Sequence, residues 1–235
     1  MYKRQVDDGA ESLDESAEII SNAFSSGTTV MVATPHYNNI FQGRHSVDKN
    51  LLSERYFQLK KFVSEKIPGM QLFLGCELRA EENLDELLRN DNYFTINGSR
   101  YVLLEFAFDE ELNNAKRYVD IIRSYGLVPV IAHPERYGFL VDCYKDVENF
   151  ASKGCLFQIN KDSPLGKYGE SAKNFSRWFL KNDMLHLFAG DCHGVTHRNA
   201  DMTALYEWLI NYYPVTKINT WLHDNPKRIL LDMKI

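Results

Sequence analysis

The sequence predicts an α/β protein with a parallel sheet, and two observations indicate this fold class. Six apolar, strand-like segments recur along the chain, each followed by a stretch with the apolar spacing of a helix. In five of these six units, the residue just past the strand is a histidine or a carboxylate, as in α/β enzymes whose sites lie at the carboxyl ends of parallel strands. A doubly wound sheet accommodates six strands, whereas a barrel needs one more, and its natural place is ahead of Val6.

The predicted elements follow one another without a linker or an internal repeat, so we expect a single domain over residues 1–235. The first helix begins with a capping box formed by Ser12 and Glu15 and ends at Gly27. The predicted strands cover residues 28–33, 70–76, 101–104, 127–132, 155–159 and 184–189. The remaining predicted helices cover residues 47–67, 84–89, 110–125, 145–152, 172–181, 200–211 and 220–231.

The composition excludes several classes of protein. The chain is 44% hydrophobic and 25% charged, which is typical of a globular protein, and a net charge of −5 with scattered Lys and Arg argues against nucleic-acid binding. No secretory signal is visible and no apolar run is long enough for a membrane helix, so we expect no membrane insertion. The four cysteines have no disulfide-framework spacing, and we expect reduced thiols in a cytoplasmic protein.

Histidines and acidic residues at the strand ends form a candidate metal site. These residues are His36, Glu77, Glu105, His133 and Asp191, and His193 follows two residues after the last of them. Each residue alone could cap a helix or be a satisfied polar group at the rim of the sheet. Three converging carboxylates, however, would repel one another without cations. Mixed imidazole and carboxylate ligands suit Mn, Zn or Fe, so the set predicts a site for such ions.

Two arginines follow ligand positions closely. Arg136 comes three residues after His133, and Arg198 comes five residues after His193. A guanidinium group binds phosphate oxygens bidentately and stabilises the charge that develops in phosphoryl transfer. The alternative for either residue is a surface ion pair at the rim.

The strand-end motifs, taken in order, resemble those of the PHP (polymerase and histidinol phosphatase) superfamily. They are Thr34-Pro35-His36, Gly75-Cys76-Glu77, Leu104-Glu105-Phe106, Ile131-Ala132-His133-Pro134-Glu135-Arg136-Tyr137 and Gly190-Asp191-Cys192-His193. More narrowly, the chain resembles the bacterial tyrosine-protein phosphatases of capsular and exopolysaccharide loci. The resemblance covers nearly the whole chain, from Val6-Asp7-Asp8-Gly9 to Asp224-Asn225-Pro226.

This resemblance implies a distorted seven-stranded (β/α) barrel with up to three divalent metal ions, commonly Mn or Fe, with Zn also an option. It implies hydrolysis of phosphotyrosine on the tail of a membrane-associated bacterial tyrosine kinase that regulates polysaccharide export. The metal ligands carried over are Asp8, His36, Glu77, Glu105, His133, Asp191 and His193, and the phosphate-binding residues are Arg136 and Arg198.

The chain departs from the family at its start. The family opens with a strand that ends in a His-x-His pair ahead of the Val6-Asp7-Asp8-Gly9 motif. Residues 1–5 contain neither histidine and do not form an apolar strand. We therefore expect a barrel without its first strand, and we favour a truncated sequence over a degenerate member with a partial site.

The sequence is also compatible with three further functions. The segment from Cys192 to Arg198 matches Cys-x5-Arg, the signature of cysteine-dependent tyrosine phosphatases, although that mechanism leaves the other strand-end ligands unexplained. The chain could also be a PHP phosphatase for a small phosphate ester, or a catalytically impaired module that only binds the kinase tail.

The aromatic residues after ligand positions either form a wall for a tyrosyl ring or pack within loops; they are Tyr37, Phe41, Tyr137 and Phe139.

Overall fold

Strands and helices alternate along the chain in the computed structural model, which describes residues 10, 12–38, 48–141 and 143–235. Every strand pair that it contains is parallel. The strands are β1 (Val30–Ala33), β2 (His36–Tyr37), β3 (Gln71–Leu74), β4 (Glu77–Arg79), β5 (Tyr101–Glu105), β6 (Val128–Ala132), β7 (Leu156–Asn160) and β8 (Leu187–Ala189). The α/β class with a parallel sheet is therefore confirmed.

The helices cover the outside of this sheet. The helices are α1 (Leu13–Ser25), α2 (Lys49–Lys66), α3 (Leu84–Arg89), α4 (Leu112–Ser124), α5 (Tyr144–Ser152), α6 (Gly169–Lys181), α7 (Thr203–Ile210), α8 (Val215–Asn219) and α9 (Asn225–Leu230). The hydroxyl oxygen of Ser12 accepts the N–H of Glu15 at 3.0 Å, so the predicted cap of α1 is confirmed. The last predicted helix, 220–231, begins as a π-helical turn over Thr220–Asp224 and continues as α9. No helix among the described residues is both long and apolar enough to cross a bilayer.

The first two predicted strands each continue past a break. β1 pairs with β3, and β2 pairs with β4, so the two pairs are consecutive parts of one ladder. Hydrogen bonds of 2.9 Å bridge the break, from the N–H of Gly75 to the carbonyl of Ala33 and from the N–H of Glu77 to the carbonyl of Pro35. Pro35 has no N–H to give to a ladder, which accounts for the interruption. The second part of the ladder carries His36 and Glu77 into the sheet.

The six-stranded sheet has the order β2-β4-β5-β6-β7-β8, which is the order of the strands along the chain. Its two faces pack into separate apolar clusters. The outer cluster joins alternate strand residues to the helices and includes Val102, Leu104, Ile131 and Phe157. We call the other cluster the inner cluster; its buried members are Ile96, Tyr101, Leu103, Val130, Ala132, Leu156, Leu187 and Ile229. Strand residues two positions apart share a face, so the inner row of β5 runs from Tyr101 through Leu103 to Glu105.

Candidate metal centre

Histidine and glutamate side chains meet at the carboxyl end of the sheet. His36 opens β2 and Glu77 opens β4, and they are direct partners across the parallel ladder. Glu105, the last residue of β5, pairs in the same way with Arg79 on β4. Paired positions on neighbouring strands point to the same face, so the apolar inner row of the sheet gives way to a polar group at this end.

The tightest group of ligand-type side chains in the described part of the chain consists of His36, Glu77 and Glu105. One ligand atom from each lies within 4.8 Å of the others. Nε2 of His36 lies 3.6 Å from Oε2 of Glu77 and 3.8 Å from Oε2 of Glu105. Both glutamates are buried. Because burial of two adjacent carboxylates is unfavourable on its own, positive charge is needed beside them.

His133 contacts the same glutamates through their other oxygen atoms. Its Nε2 lies 3.2 Å from Oε1 of Glu77 and 3.6 Å from Oε1 of Glu105. Each carboxylate thus presents one oxygen to His36 and the other to His133. The two glutamates and the two histidines would therefore be able to hold divalent cations together.

Asp191 and His193 join the centre from the segment after β8. Nδ1 of His193 lies 3.0 Å from the backbone carbonyl oxygen of Asp191 and 3.6 Å from its Oδ1. The His193 ring packs edge-on against the His36 ring, with centroids 5.9 Å apart. The side-chain amide of Asn160, at the end of β7, donates to Oδ2 of Asp191 at 2.7 Å. The structure therefore brings all six described ligand candidates into one continuous group.

Both candidate arginines contact the carboxylate of Asp191. Nη1 of Arg136 lies 3.5 Å from Oδ2 of Asp191, and Nη2 of Arg198 contacts the same oxygen. Their side chains are 22% and 31% exposed, so the guanidinium groups lie at the mouth of the centre, where a ligand from solvent can reach them.

The charges in the centre shift its acidic groups in different directions. Burial raises the pKa of Glu105, and the neighbouring charge of Glu77 raises it further. Burial also acts to raise the pKa of Glu77, but the hydrogen bond with His133 and the charges of the two nearest histidines outweigh it, so this pKa is lowered. Burial is likewise outweighed at Asp191, where the charges of His133 and Arg198 lower the pKa to about 2. The glutamates thus depend on nearby cationic groups to stay ionised together.

The donor set fits divalent metal ions. Neutral imidazole nitrogen and carboxylate oxygen together suit Mn, Fe or Zn. Nδ1 of His133 is buried and has no hydrogen-bond partner among the described residues, although a buried ring nitrogen is normally satisfied. Buried carboxylates with adjacent histidine nitrogens are the features that a cation site would combine.

Arg79 was missed at the sequence level. Its Nη1 lies 3.0 Å from Oε2 of Glu105, and its side chain is only 12% exposed. Arg79 follows Glu77 by two residues on an extended segment, so spacing alone could have placed both side chains on one face. The nearly buried guanidinium group of Arg79 therefore holds Glu105, a metal-ligand candidate, in position.

Glu135 was also missed. This buried carboxylate accepts the backbone N–H of Asn160 at 3.0 Å and the hydroxyl of Ser163 at 2.6 Å. Because Asn160 in turn donates to Asp191, Glu135 is connected to the centre through Asn160. No spacing rule connects Glu135 with the end of β7, and only the tertiary fold brings them together.

Two of the residues that the sequence suggested for the site, Asp8 and Phe41, lie outside the described residues. Tyr37 and Tyr137 are 1% and 0% exposed, and their hydroxyl groups are used internally, with Asn92 and with the N–H of Phe106. Of the two roles considered for these tyrosines, a substrate wall or packing within the fold, the structure supports packing.

Comparison with known proteins identifies the family. Residues 4–231 match the family described as capsular polysaccharide synthesis, CpsB/CapC. The chain is 28% identical to the tyrosine-protein phosphatase CpsB of Streptococcus pneumoniae, over 98% of this chain and 96% of that protein. It is 31% identical to the tyrosine-protein phosphatase YwqE of Bacillus subtilis, over 83% and 75%.

A solved structure is also similar. It comes from crystallographic work on B. subtilis YwqE and S. pneumoniae CpsB, described there as unique metal-dependent tyrosine phosphatases. The TM-score is 0.86 at 27% identity, covering 98% of this chain and 92% of that one. The resemblance in the strand-end motifs is thereby confirmed. The chain belongs to the CpsB/CapC family of capsular polysaccharide synthesis proteins.

Proposed function

We propose that this chain is a metal-dependent protein-tyrosine phosphatase, a phosphoric monoester hydrolase. The observation that carries the proposal is the position of Glu77 and Glu105, each of which has one oxygen toward His36 and the other toward His133. Two carboxylates between two histidines are suited to hold a pair of cations. The names of the relatives supply the reaction that such a centre would perform.

The residues proposed as metal ligands are Asp8, His36, Glu77, Glu105, His133, Asp191 and His193. The ligands combine imidazole with carboxylates, which suits Mn, Fe or Zn. We favour Mn and up to three ions, as the resemblance to the family implies. Bound ions would supply Lewis-acid activation of water and neutralise the charge of the phosphate oxygens.

The chain's own residues would bind and orient the ester. Arg136 and Arg198 converge on Asp191 at the mouth of the centre, and we propose that they bind the non-bridging phosphate oxygens. Arg79 holds Glu105, and Asn160 holds Asp191, so the carboxylates keep one orientation during turnover. A tyrosyl leaving group needs little help from a general acid, since its phenol has a pKa of about 10.

The proposed substrate is phosphotyrosine on the tail of a membrane-associated tyrosine kinase of polysaccharide export, and its hydrolysis would regulate capsule or exopolysaccharide synthesis. The family's role in capsular polysaccharide synthesis supports this choice. A cytoplasmic location, where such a tail would be reached, agrees with four cysteines that are all free thiols.

We further propose one domain built on a distorted seven-stranded barrel. The inner cluster supports it, because residues from four strands, β5 to β8, share an interior that also contains Ile96 and Ile229. Among the described residues the sheet keeps two ends, at β2 and at β8.

A cysteine-dependent Cys-x5-Arg mechanism is less compatible with the geometry of its loop. In that mechanism the loop's backbone N–H groups must face the phosphate. Here the N–H of His193 donates to the carbonyl of Arg198 at 3.0 Å, and the thiol of Cys192 contacts the carbonyl of Asn199. The loop therefore closes on itself. Turnover of a phosphotyrosine peptide separates the proposal from a small-ester phosphatase and from a binding module that has lost activity.

The test combines elemental analysis with hydrolysis of a phosphotyrosine peptide. We expect bound divalent metal, loss of activity on chelation and recovery with Mn. Cys192→Ser should keep most of the activity, because the thiol has no part in the proposed reaction. Activity that survives chelation but disappears in Cys192→Ser would overturn the metal mechanism. Hydrolysis of small esters without any action on the peptide would favour a small-ester phosphatase.

A further inference from the structure

An exposed phenylalanine lies beside the metal centre. Phe108, three residues past Glu105, is 47% exposed. Its ring stacks on the ring of His133, with centroids 6.0 Å apart and planes 26° apart. The guanidinium carbon of Arg136 lies 4.7 Å from the centroid of the same ring. A single exposed apolar side chain is common, but this one contacts both a ligand candidate and a phosphate-binding candidate.

A second aromatic ring contacts the same guanidinium group. The centroid of Tyr168 lies 5.0 Å from the guanidinium carbon of Arg136. Tyr168 precedes α6, on a different part of the chain from Phe108, and it is partly buried. Two rings from separate loops therefore meet at the guanidinium group of Arg136, a candidate for binding phosphate.

We propose that Phe108 and Tyr168 form an aryl subsite, and that Phe108 is a specificity-determining residue for aryl over alkyl phosphate esters. The inference rests on the proposed function, because it concerns the leaving group of that reaction. In an aryl phosphate the ring is separated from phosphorus by one oxygen atom. A phosphate bound by Arg136 consequently brings the ring next to Phe108, whose exposed area is free to pack against it.

Phe108 is more exposed than the aromatic residues that the sequence suggested as a wall for a tyrosyl ring. Tyr137 is fully buried, and Phe139 stacks on it with centroids 5.4 Å apart. These two rings pack behind the centre, whereas Phe108 is half exposed at its mouth. An aryl group that enters from solvent therefore meets Phe108 first.

The experiment measures binding of two non-hydrolysable phosphonates to the metal-loaded protein. Benzylphosphonate carries an aryl ring at the position of the tyrosyl ring, and ethylphosphonate does not. In Phe108→Ala we expect the ratio of the two affinities to fall roughly 3- to 10-fold, the range of one lost aromatic contact. Phe108→Tyr should keep the wild-type ratio. Phe57→Ala, which removes a 64% exposed phenylalanine on α2, is the matched control and should also keep it.

Equal weakening of both phosphonates in Phe108→Ala would overturn the subsite, because Phe108 would then act only by holding Arg136. An unchanged ratio would overturn it too. Hydrolysis of a phosphotyrosine peptide by the wild type is measured in parallel. Its absence would contradict the proposed function, while the phosphonate ratio would still decide the aryl subsite.

Discussion

Three residues of the centre depend on an uncommon backbone conformation. Positive φ angles occur at His133 (32°), Asp191 (48°) and Arg198 (49°), in a region that residues other than glycine seldom adopt. Such conformations cost about 1–3 kcal/mol each and persist where surrounding contacts impose them. His133 and Asp191 both follow the end of a strand, and the left-handed turn changes the direction of the chain at the centre. Part of the backbone strain of the described residues therefore lies where the side chains of the centre converge.

At this scale we predict that Glu77→Gln and His133→Ala each lower both metal content and phosphatase rate. Glu77→Gln removes the carboxylate that lies between His36 and His133, and His133→Ala removes one of these two histidines. Metal stoichiometry by elemental analysis and turnover of a phosphotyrosine peptide are the measurements. Full metal content in both variants would show that these residues are not ligands.

Arg136→Ala should give the opposite combination. The guanidinium group contacts Asp191 but contributes no metal-binding atom, so metal content should stay at the wild-type level. The rate should fall about 10²-fold, as expected when a charge partner of the transition state is lost. Arg89→Ala, at an exposed arginine on α3, is the control and should change neither quantity. Normal turnover in Arg136→Ala would place this arginine outside the reaction.

At the scale of the elements, a histidine outside the metal centre lies between β7 and β8. His186, just before β8, accepts the backbone N–H of Phe157 through its ring Nδ1 at 3.1 Å. The backbone N–H of His186 donates to the carbonyl of Phe157. Burial lowers the pKa of His186 to about 4. The ring is therefore neutral in the folded protein near pH 7. Its Nδ1 accepts a hydrogen bond from β7.

This pKa predicts a pH dependence of stability. The unfolded chain binds a proton at His186 below about pH 6.5, whereas the folded chain does so only near pH 4, so stability falls as the pH drops between these values. The loss should be on the order of 3 kcal/mol. His186→Asn keeps an acceptor but does not titrate, so the difference in unfolding free energy between it and the wild type isolates the effect. A difference that stays constant between pH 7 and pH 4 would contradict the prediction.

The elements also show what could be predicted from sequence and what could not. Apolar periodicity located the strands, and the polar residue after each strand located His36, Glu77 and Glu105, because both signals are local. Arg79 was missed because its strand was expected to end at Cys76, before the break in the ladder. Phe108 and Tyr168 carry no periodic signal at all. Their role depends on two loops that meet at one arginine, and only the folded chain brings those loops together.

At the scale of the whole molecule, the centre and the start of the apolar interior lie toward opposite ends of β5. Glu105 ends β5, whereas Tyr101, at its start, is four residues and about 13 Å away. Around Tyr101 the inner cluster is completed by Ile229 of α9. The carbonyl of Leu230 accepts a hydrogen bond from Asn97, and the carbonyl of Met233 accepts one from Tyr101. The last helix therefore covers the amino end of the sheet.

Ile229→Ala should consequently destabilise the fold without damaging the chemistry. Ile229 is 2% exposed, and its truncation leaves a cavity that costs about 2–5 kcal/mol. Denaturant unfolding should show a lower midpoint, while kcat and metal content below the unfolding transition stay unchanged. Ile210→Ala, at a 49% exposed isoleucine on α7, is the matched control and should change stability by less than about 0.5 kcal/mol. A large loss of kcat in Ile229→Ala would show that the two ends of the sheet are coupled.

The agreement between strand order and chain order also governs how the molecule can be assembled. In the main sheet every strand pairs with the strand just before or after it in that sheet, and none has to insert between two that are already joined. A chain that is synthesised from its amino end can therefore add each strand at the edge left by the strand before it. The edge of the growing sheet needs protection only until the next strand arrives. We therefore expect folding to follow translation in single strand–helix steps, with the metal centre completed only after the segment beyond β8 has emerged.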